Sequence, residues 1–165
     1  MTDYEIKTTL TVNGASVTKL IEPRTHLIDF LREGLDLTGS HVGSEHGVCG
    51  ACTVRVDGEI VRGCLTLAVA CQGKQVETIE GLSDSGELAS LQSAFHERNA
   101  LQCGYCTPGM LIAAQDLVKS NPSATREQIR VHISGNYCRC TGYHAIVDAI
   151  EAVLIAKRQR GAASA

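Results

Sequence analysis

Six of the eight cysteines in this 165-residue chain fall in three tight groups, Cys49/Cys52, Cys103/Cys106 and Cys138/Cys140, with Cys64 and Cys71 apart. Any fold open to the chain has to bring those thiols to common centres. The first residues, Met1-Thr-Asp-Tyr-Glu-Ile-Lys7, show no basic region followed by an apolar one, so no signal peptide is expected. Apolar runs such as Met110–Ala114 are too short for membrane insertion. The expected compartment is therefore the cytoplasm, where cystines are kept reduced and grouped thiols read as metal ligands. Free cysteines are also common as small buried hydrophobes. That reading suits Cys71 and suits the three close pairs poorly.

The first pair closes a glycine-rich stretch, Gly39-Ser-His-Val-Gly-Ser-Glu-His-Gly-Val-Cys-Gly-Ala-Cys52, and Cys64 follows across a hairpin. Plant-type ferredoxins hold a [2Fe–2S] cluster with C-x4-C-x2-C plus a distant fourth cysteine. Here the first of those positions is Ser44. Around the stretch, Ile6, Thr8, Leu10 and Val12 alternate as in a half-buried strand within Glu5–Asn13. Asn13-Gly14 signals a hairpin turn into Val17–Ile21, and Asp57-Gly58 signals another between Thr53–Asp57 and Glu59–Arg62. A helix is expected over His26–Leu35 with Thr25 as N-cap, and a last strand over Gln75–Ile79. The expected fold class for this part is a small α+β domain of the ubiquitin-like β-grasp ferredoxin type, residues 1–82.

After the polar break Ser83–Gly86 everything reads as helix. Glu87–Arg98 places Leu88, Leu91 and Phe95 on one face, and Thr107-Pro108 reads as an N-cap followed by proline at the first helical position. That helix stops near Asn121-Pro122. Thr125-x-x-Gln128 is a capping box for a helix reaching Ile133, and Tyr143–Lys157 carries Ile146, Val147, Ile150, Val153 and Leu154 as its apolar stripe. The expectation is an all-α four-helix bundle over residues 83–165, ending in a small Gly161–Ala165 tail.

Gln102-Cys-Gly-Tyr-Cys106 and Asn136-Tyr-Cys-Arg-Cys140 put four thiols on loops at helix starts, where thiol pKa is lowered and N–H groups face negative charge. Gly104, Gly135 and Gly142 are expected to let backbone approach the sulfurs. Spacing alone divides these four evenly between a zinc site and iron. The ferredoxin-like loop in the same chain favours iron. A net charge of −3, with two Phe, four Tyr and no Trp, gives no platform or attraction for nucleic acid.

The chain resembles the small iron–sulfur subunit of the molybdenum hydroxylases, the xanthine dehydrogenase, aldehyde oxidase and carbon monoxide dehydrogenase family. The matching residues are Leu37-Thr-Gly-Ser-His-Val-Gly, Cys49-Gly-Ala-Cys-Thr-Val, Asp57-Gly, Thr78-Ile-Glu-Gly-Leu82, Gln102-Cys-Gly-Tyr-Cys-Thr-Pro-Gly-Met110 and Gly135-Asn-Tyr-Cys-Arg-Cys-Thr-Gly-Tyr143. The resemblance implies two [2Fe–2S] clusters. Cys103, Cys106, Cys138 and Cys140 would hold the inner one beside the molybdenum site, and Cys49, Cys52 and Cys64 the outer one. It also implies that Gln102 and Cys140 lie against a pterin. The implied partners are a large subunit with molybdopterin, as the cytosine dinucleotide, and a medium subunit with FAD, in a heterotrimer that dimerises. The chain would relay electrons from the first to the second and perform no bond chemistry itself. The substrate, an N-heterocycle, an aldehyde, CO or another, is set by the large partner.

Ser44 departs from this pattern, and three readings stand. The serine ligates iron as an alkoxide; three cysteines hold the cluster with water or with a recruited His46 or Cys71; or the serine is a sequence artefact. His41 and His46 line the loop, and Arg139 lies between two ligands. His26, His96, His132 and His144 sit in helical segments and are expected to be partly exposed or capping. Two rivals to the electron-transfer subunit are a stand-alone ferredoxin-like carrier and a zinc-stabilised binding module. Gln102 and Cys140 argue against the first.

Overall fold

The period-two pattern at the start of the chain becomes β1 (Ile6–Val12), which buries Thr8, Leu10 and Val12 on one face while Ile6 stays exposed. Asn13 and Gly14 both take positive φ, 49° and 82°, as a type I′ turn requires, and return the chain into β2 (Ala15–Ile21) with Val12 opposite Ala15. The computed structural model describes residues 4–163; the N-terminal reading at residues 1–3 and the end of the Gly161–Ala165 tail lie outside the described residues.

Helix α1 (Leu27–Leu35) buries Leu27, Ile28, Phe30 and Leu31. Its N-cap is His26, without a side-chain cap bond, rather than the expected Thr25. The backbone there is already committed: Thr25 donates to Glu22 and accepts from Ala68, while His26 bridges Leu67. The second hairpin forms as read, β3 (Thr53–Val56) with β4 (Glu59–Arg62). A 3₁₀ turn at Ala68–Cys71 leads into β5 (Gln75–Glu77). The sheet runs β2-β1-β5-β3-β4, with β5 parallel to β1 and antiparallel to β3. Leu10, Val12, Leu27, Phe30, Leu31, Val54, Val56 and Val76 fill the space between sheet and helix. Cys71 lies among them, as expected of a core thiol.

The last strand is shorter than the expected Gln75–Ile79. Thr78 leaves the ladder because its N–H donates to the Asn13 side chain and its hydroxyl to Glu80, and α2 (Ile79–Asp84) begins at once. The expected break at Ser83–Gly86 therefore contracts to its second half, where Gly86 takes φ 76°. Beyond it run α3 (Ala89–Glu97), α4 (Thr107–Ser120), α5 (Arg126–Ile133) and α6 (His144–Ala163). The Thr125/Gln128 capping box is present in both directions. Thr107 is not a cap; Cys106 holds that position and Thr107 opens the helix, with Pro108 in its first turn. Helix α6 continues well past Lys157, through Arg158-Gln-Arg160, whose residues favour helix. Tyr143, with φ 68°, stays outside it. Leu88, Leu91, Phe95, Met110, Ile112, Ile129, Ile133, Ile146, Ile150 and Leu154 make the second core. Among the described residues no helix is long and apolar enough to cross a membrane.

Candidate metal centres

The outer loop is tethered from both sides before any thiol is placed. Arg32 on α1 donates one nitrogen to the carbonyls of Thr38 and Ser40, each at 2.7 Å, and Glu80 on α2 accepts from the Gly39 amide at 2.7 Å. Glu45, Gly47 and Gly50 take positive φ of 58°, 76° and 75°, so the chain coils back on itself between Ser44 and Cys52. A Cβ on Gly43 would stand 2.9 Å from the Cys49 sulfur, which makes the absence of a side chain there a condition of the loop.

Cys52 and Cys64 are each 2% exposed and pack with Ile28 beneath the loop, their sulfurs 3.3 Å apart. Burial and the neighbouring Cys64 and Cys49 thiols push Cys52 up to about 11. Cys49 goes the other way. Burial pushes it up, but the Ser44 side chain and the amides of Ala51, Ser44 and Gly43 bond its sulfur and hold it below the ordinary thiol range. Ser44 in turn accepts from the Cys49 amide at 3.3 Å. Three cysteines and the serine are thus gathered in one loop.

The inner group lies at the start of α4 and in the α5–α6 loop. Cys103 and Cys140 are exposed with sulfurs 3.5 Å apart, and Cys106 lies near enough to Cys138 and Cys103 for their thiols to act on it. Burial and the Cys138 and Cys103 thiols push Cys106 up to about 12. The hydrogen bond shared with Cys103 raises Cys140. Cys138 is lowered against its burial because the Thr141 hydroxyl, 3.2 Å away, and the amides of Thr141 and Cys140 bond its sulfur. Its own amide donates to the Tyr143 hydroxyl at 2.9 Å. Gly104 and Gly142 take positive φ, 83° and 62°, in the two loops. Gly135 does not serve the sulfurs as expected; a Cβ there would meet the Arg62 guanidinium at 2.8 Å.

These thiols fit a binuclear cluster on their own geometry. Among the described residues no three His, Cys, Asp or Glu close on a point as around a single ion. Two pairs of thiols do approach closely, Cys52/Cys64 at 3.3 Å and Cys103/Cys140 at 3.5 Å, and a [2Fe–2S] cluster takes two terminal ligands on each iron. Close thiols repel once ionised, so each pair gains from a shared cation. The Thr107 hydroxyl, buried beside Cys106, is a donor with no acceptor among the described residues. Gln102 donates to the Cys140 carbonyl at 3.0 Å, which places together the two residues expected near a pterin.

The two loops also meet each other. The Tyr137 amide donates to the Cys49 carbonyl at 2.8 Å, and the Tyr105 hydroxyl donates to the Val42 carbonyl at 2.6 Å. His41 stacks on Tyr105 with ring centroids 4.5 Å apart and hydrogen-bonds its carbonyl. His46 and Arg139 are exposed. Buried Asn136 donates to the Gly50 carbonyl at 3.0 Å and the Thr53 hydroxyl at 3.2 Å, and Arg62 donates to the Gly135 carbonyl at 2.8 Å. Sequence reasoning placed His41 on the loop as a hydrogen-bonding residue but gave Arg62, Tyr105, Asn136 and Tyr137 no role, although Asn136, Tyr137 and Tyr105 stand inside the quoted motifs. Their signal was adjacency to the cysteines.

Known proteins share this arrangement. The family pattern described as a [2Fe-2S] binding domain matches residues 78–151. Caffeine dehydrogenase subunit gamma of Pseudomonas sp. (strain CBB1) is 50% identical over 147 residues, covering 87% of this chain and 88% of that one. The nicotine 6-hydroxylase small subunit of Paenarthrobacter nicotinovorans is 51% identical, covering 84% of each chain. A chain in the crystal structure of quinoline 2-oxidoreductase from Pseudomonas putida 86 superposes with a TM-score of 0.86 at 48% identity, covering 94% of this chain and 97% of that one. The chain belongs to the family of small iron–sulfur subunits of the molybdenum hydroxylases.

Proposed function

We propose that this chain relays electrons, one at a time, from a molybdopterin site in a large partner subunit to FAD in a medium one. The supporting observation is the joining of the two thiol groups: residue Tyr137, next to Cys138, donates its amide hydrogen to the carbonyl of Cys49. When bound, two [2Fe–2S] clusters supply the one-electron carriers. Cys103, Cys106, Cys138 and Cys140 hold the inner cluster, and Cys49, Cys52 and Cys64 hold the outer, with Ser44 at its fourth position. The amides on Cys49 and Cys138 stabilise ligand thiolates and set potential. Exposed Cys103, Cys140 and Gln102 offer the inner group to the pterin, here the cytosine dinucleotide form.

In this reading residues 1–82 form a β-grasp ferredoxin domain and residues 83–165 a four-helix-bundle [2Fe–2S] domain. The assembly is a heterotrimer that dimerises, in the cytoplasm. Its substrate is an N-heterocycle, a class supported by relatives named for caffeine, nicotine and quinoline.

The test is purification from the native source. A red-brown complex should elute with a molybdenum-containing large subunit and an FAD-containing medium one, with about four irons on this chain. A colourless chain, or one eluting alone, overturns the proposal.

A further inference from the structure

Resting on that reading of Ser44 and the outer cysteines, we infer that Ser44 and Cys49 share one iron while Cys52 and Cys64 hold the other. The oxygen ligand then confines the transferred electron to the buried Cys52/Cys64 iron.

The pairing comes from the thiols themselves. Cys52 and Cys64 face each other across 3.3 Å beneath the loop, so they occupy adjacent positions on one metal. What remains for the other is Cys49 and the group beside it. That group is Ser44, whose hydroxyl oxygen accepts from the Cys49 amide at 3.3 Å. His46 is exposed, and Cys71 is packed between sheet and helix α1, so neither competes for the position.

An alkoxide is a harder donor than a thiolate and stabilises the ferric state. On assembly the Ser44 hydroxyl gives its proton to solvent and its oxygen bonds iron. With the cluster bound, Ser44 and Cys49 would hold one iron and Cys52 and Cys64 the other, and the cluster would supply one-electron transfer in which the electron taken from the inner cluster is the one passed to the flavin, with no bond to Ser44 formed or broken. With two sulfur ligands against one sulfur and one oxygen, the Cys52/Cys64 iron is the easier to reduce. The two cysteines that would hold that iron pack against Ile28 and are each 2% exposed. The Cys49 amide, donating to the Ser44 oxygen at 3.3 Å, would stabilise the alkoxide.

The experiment is Mössbauer spectroscopy of the 57Fe-enriched, dithionite-reduced complex, wild type against Ser44→Cys and Ser44→Ala, with the all-cysteine inner cluster as internal reference. Expected for the wild type is a ferrous signal of all-sulfur character and a ferric signal of mixed oxygen and sulfur character. Ser44→Cys should make both sites all-sulfur and raise the outer cluster's potential, and Ser44→Ala should lose outer-cluster iron. A wild-type ferrous signal of oxygen-ligated character overturns the localisation and leaves the ligand set standing. Identical outer-cluster spectra and potentials for wild type and Ser44→Cys overturn serine ligation itself, and the inference with it.

Discussion

The amide of Tyr137 donates to the carbonyl of Cys49 at 2.8 Å, so one hydrogen bond and one peptide unit separate Cys138 of the inner group from a cysteine of the outer. Both residues sit in loops that would otherwise be free to part. Asn136 holds them: it is 3% exposed, donates to Gly50 and Thr53, and accepts from Arg62. Asn136→Ala leaves a buried carbonyl and a guanidinium short of partners and should cost about 1–3 kcal/mol in urea titration. It should also slow reduction of the outer cluster after the inner one in rapid-mixing EPR, with both clusters still assembled. An unchanged rate would remove the loop junction from the electron path.

Backbone meets backbone at Gly109, whose added Cβ would stand 2.3 Å from the Gly50 carbonyl oxygen. Gly109→Ala must push α4 away from the outer loop and should destabilise by about 1–3 kcal/mol as overpacking. At Gly34, inside exposed α1, a Cβ meets only Phe30 at an ordinary 3.7 Å. Gly34→Ala should therefore stabilise by about 0.5–1 kcal/mol. Thermal melts of the two variants should move in opposite directions.

Much of this was legible in the chain and some was not, for reasons that differ. Hairpins at Asn13-Gly14 and Asp57-Gly58 were readable because positive φ at both turn residues restricts composition. The capping box at Thr125 was readable because both partners are local. Thr25 and Thr107 were misplaced as caps because distant partners and the thiol loop fix those backbones, which no local pattern reports. Strand β5 was read too long because Ile79 is apolar and β-branched; its side chain goes to the helical core instead. The grouping of the cysteines was legible by spacing, and the structure brings Cys52 to Cys64 and Cys103 to Cys140. Arg62, Asn136 and Arg55 were not, since what matters for them is a partner some 30 to 80 residues away.

Arg55 on β3 is an ion-pair centre with a side chain only 6% exposed, reaching Glu77 at 3.2 Å and Glu87, ahead of α3, at 2.6 Å. Lys119 on α4 completes the set, 2.9 Å from Glu87. The hydrogen-bonded Arg55 guanidinium, against some burial, holds the Glu87 carboxyl at about 2, well below its ordinary 4.5. A depressed carboxylate contributes stability that is complete above the unfolded value and lost as pH falls through the folded one. The sheet-to-helix contact should accordingly weaken between about pH 4.5 and 2. Glu87→Gln should flatten the pH dependence of the urea midpoint in that window. Glu87→Ala should cost about 2–3 kcal/mol at neutral pH, less than a fully orphaned buried arginine because Glu77 remains.

Cys71 and Cys106 are both thiols raised by burial, yet they stand in different company. Cys71 packs with Leu10, Val54 and Val76 and has no second thiol near it. Cys106 feels the Cys138 and Cys103 thiols, and Cys103 in turn pairs with Cys140 at 3.5 Å. Cys71→Ala removes one sulfur from a closed core; it should lower stability by about 1 kcal/mol and leave about four irons per chain. If Cys106 is a ligand of the inner cluster, as proposed, Cys106→Ala opens a binuclear site that cannot keep one iron without the other, so about two irons should remain and the EPR signal of the inner cluster should vanish. The stability loss should then exceed that of Cys71→Ala, because Cys103, Cys138 and Cys140 lose the cations that hold them together. Iron analysis, EPR and urea titration of the two variants separate the roles directly; equal iron content in both would place Cys106 outside the inner centre.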